Sequence, residues 1–394
     1  AADVAIVPAS LRVTGATMAG DPPGPEVLTG EAVRVMTGAP LPPGADTVVI
    51  IEVTRPAPDG VLVDEAPERG QFVRPAGDDV RSGDLVFQPG CVLGPGHLGI
   101  ITSLGRTRVV VHPRPRVGVL STGDELRTGS GPLSEGSIRD ANRATLSAVL
   151  AQSGFLPVDL GVVGDDELAV AEAVSAAGAT CDAVVTTGGV SVGDRDVMKP
   201  VLARLAGPAA RSFGVAVKPA KPFAFAELPG ACPVFALPGN PVSALVSFEL
   251  FARPALRMMA GHTSLHRPSA LAVTDAPLAR RPDGKVHLLR VRARIAPEGR
   301  VHVTSAGEQG SHQLSVMATA DALAVVPDGN GVPAGGEVEV VLLGSELASG
   351  TPPELAASCF ASAAPTGDAG RPWVGEAGAA GAAGEALAAR EAGV

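Results

Sequence analysis

Acidic side chains recur at the ends of three short apolar runs: Glu125 in STGDEL, the pair Asp165 and Asp166 in VGDDE, and Asp194 and Asp196 closing TTGGVSVGDRD. A hard cation such as Mg²⁺ is held through one or two carboxylates together with substrate phosphate oxygens, and these acids suit that mode better than an all-protein cage. Taken singly, each aspartate has another reading as the N-cap of the helix that follows. Several acids on neighbouring loops favour a shared site. Downstream, VKPAKPFAF places Lys218 and Lys221 three residues apart, each followed by proline, so two ammonium groups are presented at a set spacing. Such a pair suits a doubly charged oxyanion, or is simply a solvated pair of lysines. In LPGNPVS, Gly239 and Asn240 stand between Pro238 and Pro241 ahead of a helix expected near Val242. That turn either offers a helix N-terminus to an anion or only connects two elements. MTGAPLPPGAD is a similar turn, with Thr37 as its reactive side chain.

Other chemistries find no support. His262 and His266 have the i, i+4 spacing of a zinc-protease helix, but HTSLH lacks the glutamate. No GxSxG elbow is present, and no GxGxxG follows an expected strand, which argues against a serine hydrolase and a nicotinamide enzyme.

The elements that must position these residues alternate. RVGVLST reads as a strand, NRATLSAVLAQSGF as a helix ending at Gly154, LPVDLGVV as a second strand, ELAVAEAVSAAGA as a helix and DAVVTT as a third strand. That order predicts a parallel α/β domain, whose ligands collect outside the carboxyl ends of the strands. STGDEL, GDD and TTGGVSVGDRD all fall there. Residues 1–111 read as mostly β, with DTVVIIEVT (46–54) as one β-type run. Residues 267–346 read as a small β-barrel or sandwich, including VHLLRVRARI and GGEVEVVLLG. Residues 350–394, mainly Ala and Gly, read as a disordered tail. The 394 residues call for more than one hydrophobic core. The fold class expected is α/β and multidomain.

Composition removes several classes of function. A net charge of −10 and 3% aromatic residues leave neither a basic footprint nor stacking platforms for nucleic acid. No run is long and apolar enough to span a membrane. The four cysteines are scattered without a CxxC pair, which suits a reducing cytoplasm. The chain begins AADVAIVPAS without an initiator Met, and is expected to be a fragment.

MTGAPLPPGADTVV, LSTGDEL, IRDANR, TTGGVSVGDRD, VKPAKPFAF, LPGNPVSA and GEQGSHQL stand in the order and approximate spacing of the molybdopterin molybdenumtransferase family, which includes bacterial MoeA and the E domain of gephyrin. The chain resembles that family from about Glu31 to Leu343. The resemblance implies insertion of molybdate into the dithiolene of adenylylated molybdopterin, assisted by Mg²⁺, giving molybdenum cofactor and AMP. It also implies an elongated homodimer, a central MogA-like domain at residues 112–262, and a MogA-type adenylyltransferase as a partner. Carried over by motif, Thr37, Glu125, Asp165 and Asp196 are catalytic candidates, and Asp166, Asp194 and Asp196 are candidates for the metal. Asp140, Asn142, Gly188, Gly189, Ser191, Lys218, Lys221, Pro238, Gly239, Asn240, Pro241, Ser243, Arg290 and Ser311 are the substrate-binding candidates, the last two from the barrel.

One departure stands out. The family carries a PPFDNSAMDGYA-type segment ahead of MTGAP, and residues 1–30 contain no match, so the N-terminal segment is expected to be missing or divergent. A non-catalytic molybdopterin-binding or scaffold homologue is therefore the alternative. A MogA-like adenylyltransferase working through the central domain alone is a third reading, which the PGNP turn and the added barrel argue against.

Overall fold

A computed structural model describes residues 1–190, 196–344 and 348–349. Ser191 and Asp194, and the expected disordered tail, lie outside the described residues. The chain divides into two compact units, Ala1–Cys91 and Val92–Val394.

The first unit holds four strands, β1 (Ala9–Thr17), β2 (Glu31–Val35), β3 (Thr54–Ala57) and β4 (Gly60–Val63), in the order β2-β1-β4-β3. β1 runs parallel to β2, with a bulge between Val13 and Gly15, and antiparallel to β4. Gly60 lies so close to β1 that a Cβ there would press into the Leu11 carbonyl, so this register needs glycine. The β-type run at 46–54 forms no strand before Thr54, and Ile51–Val53 is a 3₁₀ turn. Backbone bonds from Val48 N to Gln71 O (3.0 Å) and from Gly70 N to Asp46 O (2.9 Å) link this run to a neighbouring segment, and β-branched side chains alone make no ladder without a neighbouring strand.

The second unit begins with a helix, α1 (Pro95–Ser103). A six-stranded sheet follows, made of β5 (Arg116–Thr122), β6 (Leu156–Val163), β7 (Ala183–Thr187), β8 (Arg211–Gly214), β9 (Pro222–Leu228) and β10 (Cys232–Leu237). Its order is β8-β9-β10-β7-β5-β6, and β10, β7, β5 and β6 run parallel. Helices α2 (Asn142–Gln152), α3 (Glu167–Gly178) and α4 (Met198–Ala206) cross over between strands, and α5 (Pro241–Ser247) continues through a π-turn into α6 (Arg253–Met259).

Alternation along the strands feeds two cores, one on each face of the sheet. Leu120, Val184, Ala236 and Ala224 pack under α3 and α4 through Val170, Val174, Met198 and Leu202. Val119, Val185, Phe235 and Phe223 pack under α2, α5 and α6 through Leu146, Leu150, Phe248 and Leu256. On α3 the buried positions are Val170, Ala171, Val174 and Ala177, the helical stripe that its sequence predicts.

The last strands are β11 (Ser269–Thr274), β12 (Val286–Ile295), β13 (Val301–Ser305), β14 (Ala322–Val326) and β15 (Glu337–Leu342). β12 pairs with both β13 and β14, which closes the ring β12-β13-β11-β15-β14 into a barrel rather than a sandwich. Leu289, Val291 and Ala293 point into the barrel core. Leu288, on the opposite face of β12, joins Leu323, Ala220, Val242 and Val246 in a separate cluster that ties the barrel to α5. At the other end of this joint Arg267 holds Glu249, on the π-turn, through two bonds of 2.7 and 2.8 Å, and donates to Leu343 O. No helix among the described residues is long and apolar enough to cross a membrane.

Candidate active site

Strand order places the topological switch of the sheet at β5 and β7: the chain leaves β5 toward β6 and leaves β7 toward β10, opening a crevice at their carboxyl ends. The registers Ser121↔Thr187 and Thr187↔Leu237 bring the ends of β5, β7 and β10 level. Thr122, Gly188 and Pro238 therefore follow one another across adjacent strands. Gly188 has φ +100° and donates to Leu237 O at 3.1 Å. A Cβ there would press into the Thr122 carbonyl, whereas a Cβ on Gly239 would meet Gly188 Cα at an ordinary 3.6 Å.

Asn142, at the start of α2, fastens these ends together. Its Nδ2 donates to Thr187 Oγ1 (2.8 Å) and to Gly239 O (2.6 Å), and the buried Thr187 hydroxyl donates in turn to Pro238 O (2.9 Å). Asp140 lies beneath. Its carboxylate is 2% exposed, accepting from Ser121 Oγ (3.0 Å), Arg143 N (3.2 Å) and Arg143 Nε (2.9 Å). Arg143 also pairs with Asp159. Asp140 thus has its oxygens committed within the protein, and what it offers the crevice is the placement of α2.

The acids separate into distinct environments. Asp124 and Asp165 lock the first two loops by reciprocal bonds, Asp165 N to Asp124 Oδ1 (3.1 Å) and Asp124 N to Asp165 Oδ2 (3.4 Å). Gly123, Asp124, Arg127 and Gly164 line a cavity of about 370 Å³ there. Glu125 is exposed at the mouth of this loop. Asp166 caps α3 by accepting from Ala169 N at 2.8 Å, which is the capping role that competes with metal binding. Asp196 is 9% exposed and forms an ion pair with Lys199 at 2.7 Å, yet neither of its oxygens has a well-aligned hydrogen-bond donor among the described residues. Among the described residues no group of three His, Cys, Asp or Glu side chains is placed to hold a metal.

Lys218 and Lys221 are both exposed, on a loop closed by Val215 N donating to Lys221 O at 2.8 Å. Val217–Lys218 pairs in parallel with Val286 and His287, so the barrel fixes this loop. Pro238, Gly239, Asn240 and Pro241 form the turn before α5, where Ser243 is buried. From the barrel, Ser311 O accepts from Val242 N at 3.1 Å, covering the first turn of α5.

Arg290 is fully buried on β12, on the same face as Leu288. Its Nη2 donates to Glu308 O (3.2 Å) and Gly310 O (2.9 Å), while Nε and Nη1 have no partner among the described residues. Burial lowers its pKa, because the charged form lacks water. Thr37 belongs to the first unit, exposed in a turn closed by Ala39 N to Met36 O at 2.9 Å.

Charge and motif missed the residues that hold this crevice together: Thr187, Arg143, Ser121 and Gln309. Thr187 carried a signal, since a hydroxyl at the end of an apolar run has to find a partner. The others depend on contacts between elements.

Three family models match the chain: the MoeA N-terminal region (domain I and II) over residues 3–105, a probable molybdopterin binding domain over 118–258, and the MoeA C-terminal region (domain IV) over 274–343. The first match shows that the family's N-terminal region is present over residues 3–105, while the PPFDNSAMDGYA-type motif, expected to be missing or divergent, has no counterpart in residues 1–30. The molybdopterin molybdenumtransferase of Haemophilus influenzae is 36% identical over 84% of this chain and 82% of its own. That of a Nostoc species is 35% identical over 85% of this chain and 77% of its own. Among solved structures, a molybdopterin biosynthesis MoeA protein from Pyrococcus horikoshii superposes with a TM-score of 0.71 at 27% identity, covering 85% of this chain and 81% of that one. The chain belongs to the molybdopterin molybdenumtransferase (MoeA) family, transferases of molybdenum cofactor biosynthesis.

Proposed function

We propose that the chain inserts molybdenum from molybdate into adenylylated molybdopterin and releases AMP. The observation that carries this reading is the meeting of the β5, β7 and β10 ends with a barrel loop whose Ser311 carbonyl covers the first turn of α5 and whose Glu308 and Gly310 carbonyls are held by buried Arg290, two of whose guanidinium nitrogens have no partner among the described residues. Buried donors without partners are costly, and an anionic substrate would satisfy them. Exposed Lys218 and Lys221 would add charge toward the phosphate and molybdate. Pro238, Gly239, Asn240, Pro241 and Ser243 would shape the wall facing the pterin, with the Gly188 and Gly189 backbone opposite.

Mg²⁺ fits the donors in one respect: Asp196 is an almost buried carboxylate whose oxygens lack aligned donors among the described residues, and Mg²⁺ needs only one or two carboxylates besides substrate phosphates. When bound it would spread the charge on the departing adenylate phosphate. Asp196 would hold it, and Lys199 would compensate the carboxylate in its absence. Asp165 would order the first acidic loop and Glu125 would face the substrate from its mouth. The roles assigned to Thr37, Ser191 and Asp194 rest on the family resemblance alone. Homodimerisation, supply of substrate by a MogA-type adenylyltransferase, and the domain boundaries at 112–262 and 267–346 belong to the same proposal.

The test is purified protein with adenylylated molybdopterin, Mg²⁺ and molybdate, followed for AMP release and for active cofactor. AMP appearing in step with cofactor supports the enzyme. Tight pterin binding with no AMP would favour the non-catalytic homologue.

A further inference from the structure

Arg290 is held through its own peptide group by a side chain nineteen positions later. The Gln309 Oε1 accepts from Arg290 N at 2.8 Å, and Gln309 Nε2 donates to Arg290 O (3.1 Å), Gly307 O (2.8 Å) and Ser305 Oγ (3.2 Å). Regular pairing between β12 and β13 ends at Val291↔Ser305; one step on, Ala306 N still donates to Arg290 O (3.0 Å), and the Gln309 Oε1 stands in for the strand carbonyl that would accept from Arg290 N. Only one orientation of the amide serves, because its nitrogen faces three oxygens and its oxygen faces the single N–H.

What Gln309 holds leads directly to the crevice. The Arg290 Nη2 grips the carbonyls of Glu308 and Gly310, on either side of Gln309, and the next carbonyl, Ser311 O, receives Val242 N from the first turn of α5. The loop also has a second brace: Gln313 Oε1 accepts from Gly310 N (2.8 Å), and Gln313 Nε2 donates to Glu308 Oε2 (2.7 Å). Gln313 touches neither the peptide nor the guanidinium of Arg290 in these bonds. The two glutamines therefore separate the placing of Arg290 from the stiffening of its loop.

We propose that Gln309 is a positioning residue for the anionic substrate, setting Arg290 and the Ser311 carbonyl in register with the start of α5. This rests on the function proposed above. Gln309 would not touch substrate; it would act through Arg290, whose guanidinium holds the Glu308 and Gly310 carbonyls next to the Ser311 carbonyl that meets α5.

The experiment compares wild type, Gln309→Ala, Gln313→Ala, Arg290→Ala and the Gln309→Ala/Arg290→Ala double variant. Molybdate is titrated in the AMP-release assay, with thermal unfolding and amide exchange at Val242 measured alongside. Gln309→Ala raises the KM for molybdate roughly 10- to 100-fold with a smaller change in kcat, as a misplacement of about 1 Å does. The double variant is no worse than Arg290→Ala, and Gln313→Ala leaves KM near wild type. Exchange at Val242 quickens in Gln309→Ala. An unchanged KM, an equal effect of Gln313→Ala, or losses that multiply in the double variant would each overturn the proposal. So would Val242 protection equal to wild type, whatever the activity. A wild-type chain that releases no AMP fails the functional reading instead, and Val242 exchange then still reports whether Gln309 positions the loop.

Discussion

The side-chain nitrogen of Asn142 lies 2.6 Å from the carbonyl oxygen of Gly239, 97 positions later in the chain. Its second hydrogen goes to the Thr187 hydroxyl, so a single amide ties the start of α2 to the ends of β7 and β10. The Gly188 N–Leu237 O and Thr187 Oγ1–Pro238 O bonds join β7 to β10 as well, but it is the Asn142 amide that fastens α2 to both.

Asn142→Asp tests that bridge with almost no change of shape. A carboxylate in place of the amide turns two donated bonds into two oxygen–oxygen contacts, and the loss is expected to be about 1–3 kcal/mol of stability. AMP release should fall roughly 100-fold as the PGNP turn shifts. Asn142→Ala, which removes the donors without adding charge, should be the milder of the two. Urea unfolding and the AMP assay read both, and an Asn142→Asp protein with wild-type activity would contradict the bridging role.

The two glycines of the crevice should respond in opposite ways. Gly188 combines φ +100° with a Cβ position occupied by the Thr122 carbonyl, so Gly188→Ala is expected to cost about 1–3 kcal/mol from backbone strain alone, and more from the clash. Gly239→Ala meets nothing closer than 3.6 Å and should unfold within about 0.5 kcal/mol of wild type. Equal urea midpoints for the two variants would show that the strand ends are not packed this tightly.

The parallel domain was legible because its signals are local: α3 shows its buried stripe in Val170, Val174 and Ala177, and the acids follow each strand. The N-terminal region was read less well, since DTVVIIEVT looks like a strand and becomes one only where Thr54 finds β4. Arg290 was named from its motif, but its burial was not foreseen. Period-2 alternation places it beside Leu288 on the face turned to α5, and charge alone argues for solvent. Asp140 was named a substrate-binding candidate from the family motif; its oxygens are used by Ser121 and Arg143, from β5 and α2, and such contacts between elements leave no trace in spacing.

Asp166 and Asp196, both proposed for the metal, should separate under substitution. Asp166 receives Ala169 N as the cap of α3, so Asp166→Ala should lose about 1 kcal/mol of stability and Asp166→Asn almost none, with Mg²⁺ dependence intact in both. Asp196→Asn removes the carboxylate that Lys199 faces and should raise the Mg²⁺ concentration needed for half-maximal AMP release while leaving pterin binding near wild type. If Asp166→Asn shifts the Mg²⁺ requirement as much as Asp196→Asn does, Asp166 binds the metal and capping is the minor role.

Acid should act on the barrel through Asp283. Burial alone would raise its pKa, but hydrogen bonds from His287 and Lys285 outweigh that and bring it down to about 2. Because the folded pKa lies below the ordinary value near ~3.9, the carboxylate stabilises the fold above that value and loses its contribution as pH falls toward the folded pKa. The gap in unfolding midpoint between wild type and Asp283→Asn should therefore be full at pH 5 and reduced to roughly half by pH 3. His287 is the ladder partner of Lys218, so the same loss should loosen the lysine loop. Protection of the Val286 amide, which donates to Ala216 O at 3.0 Å beside this loop, is expected to fall in Asp283→Asn at neutral pH and to approach the same value in wild type only in acid. Urea midpoints for the two proteins that stay a constant distance apart from pH 5 to pH 3 would mean that Asp283 is not the group that titrates.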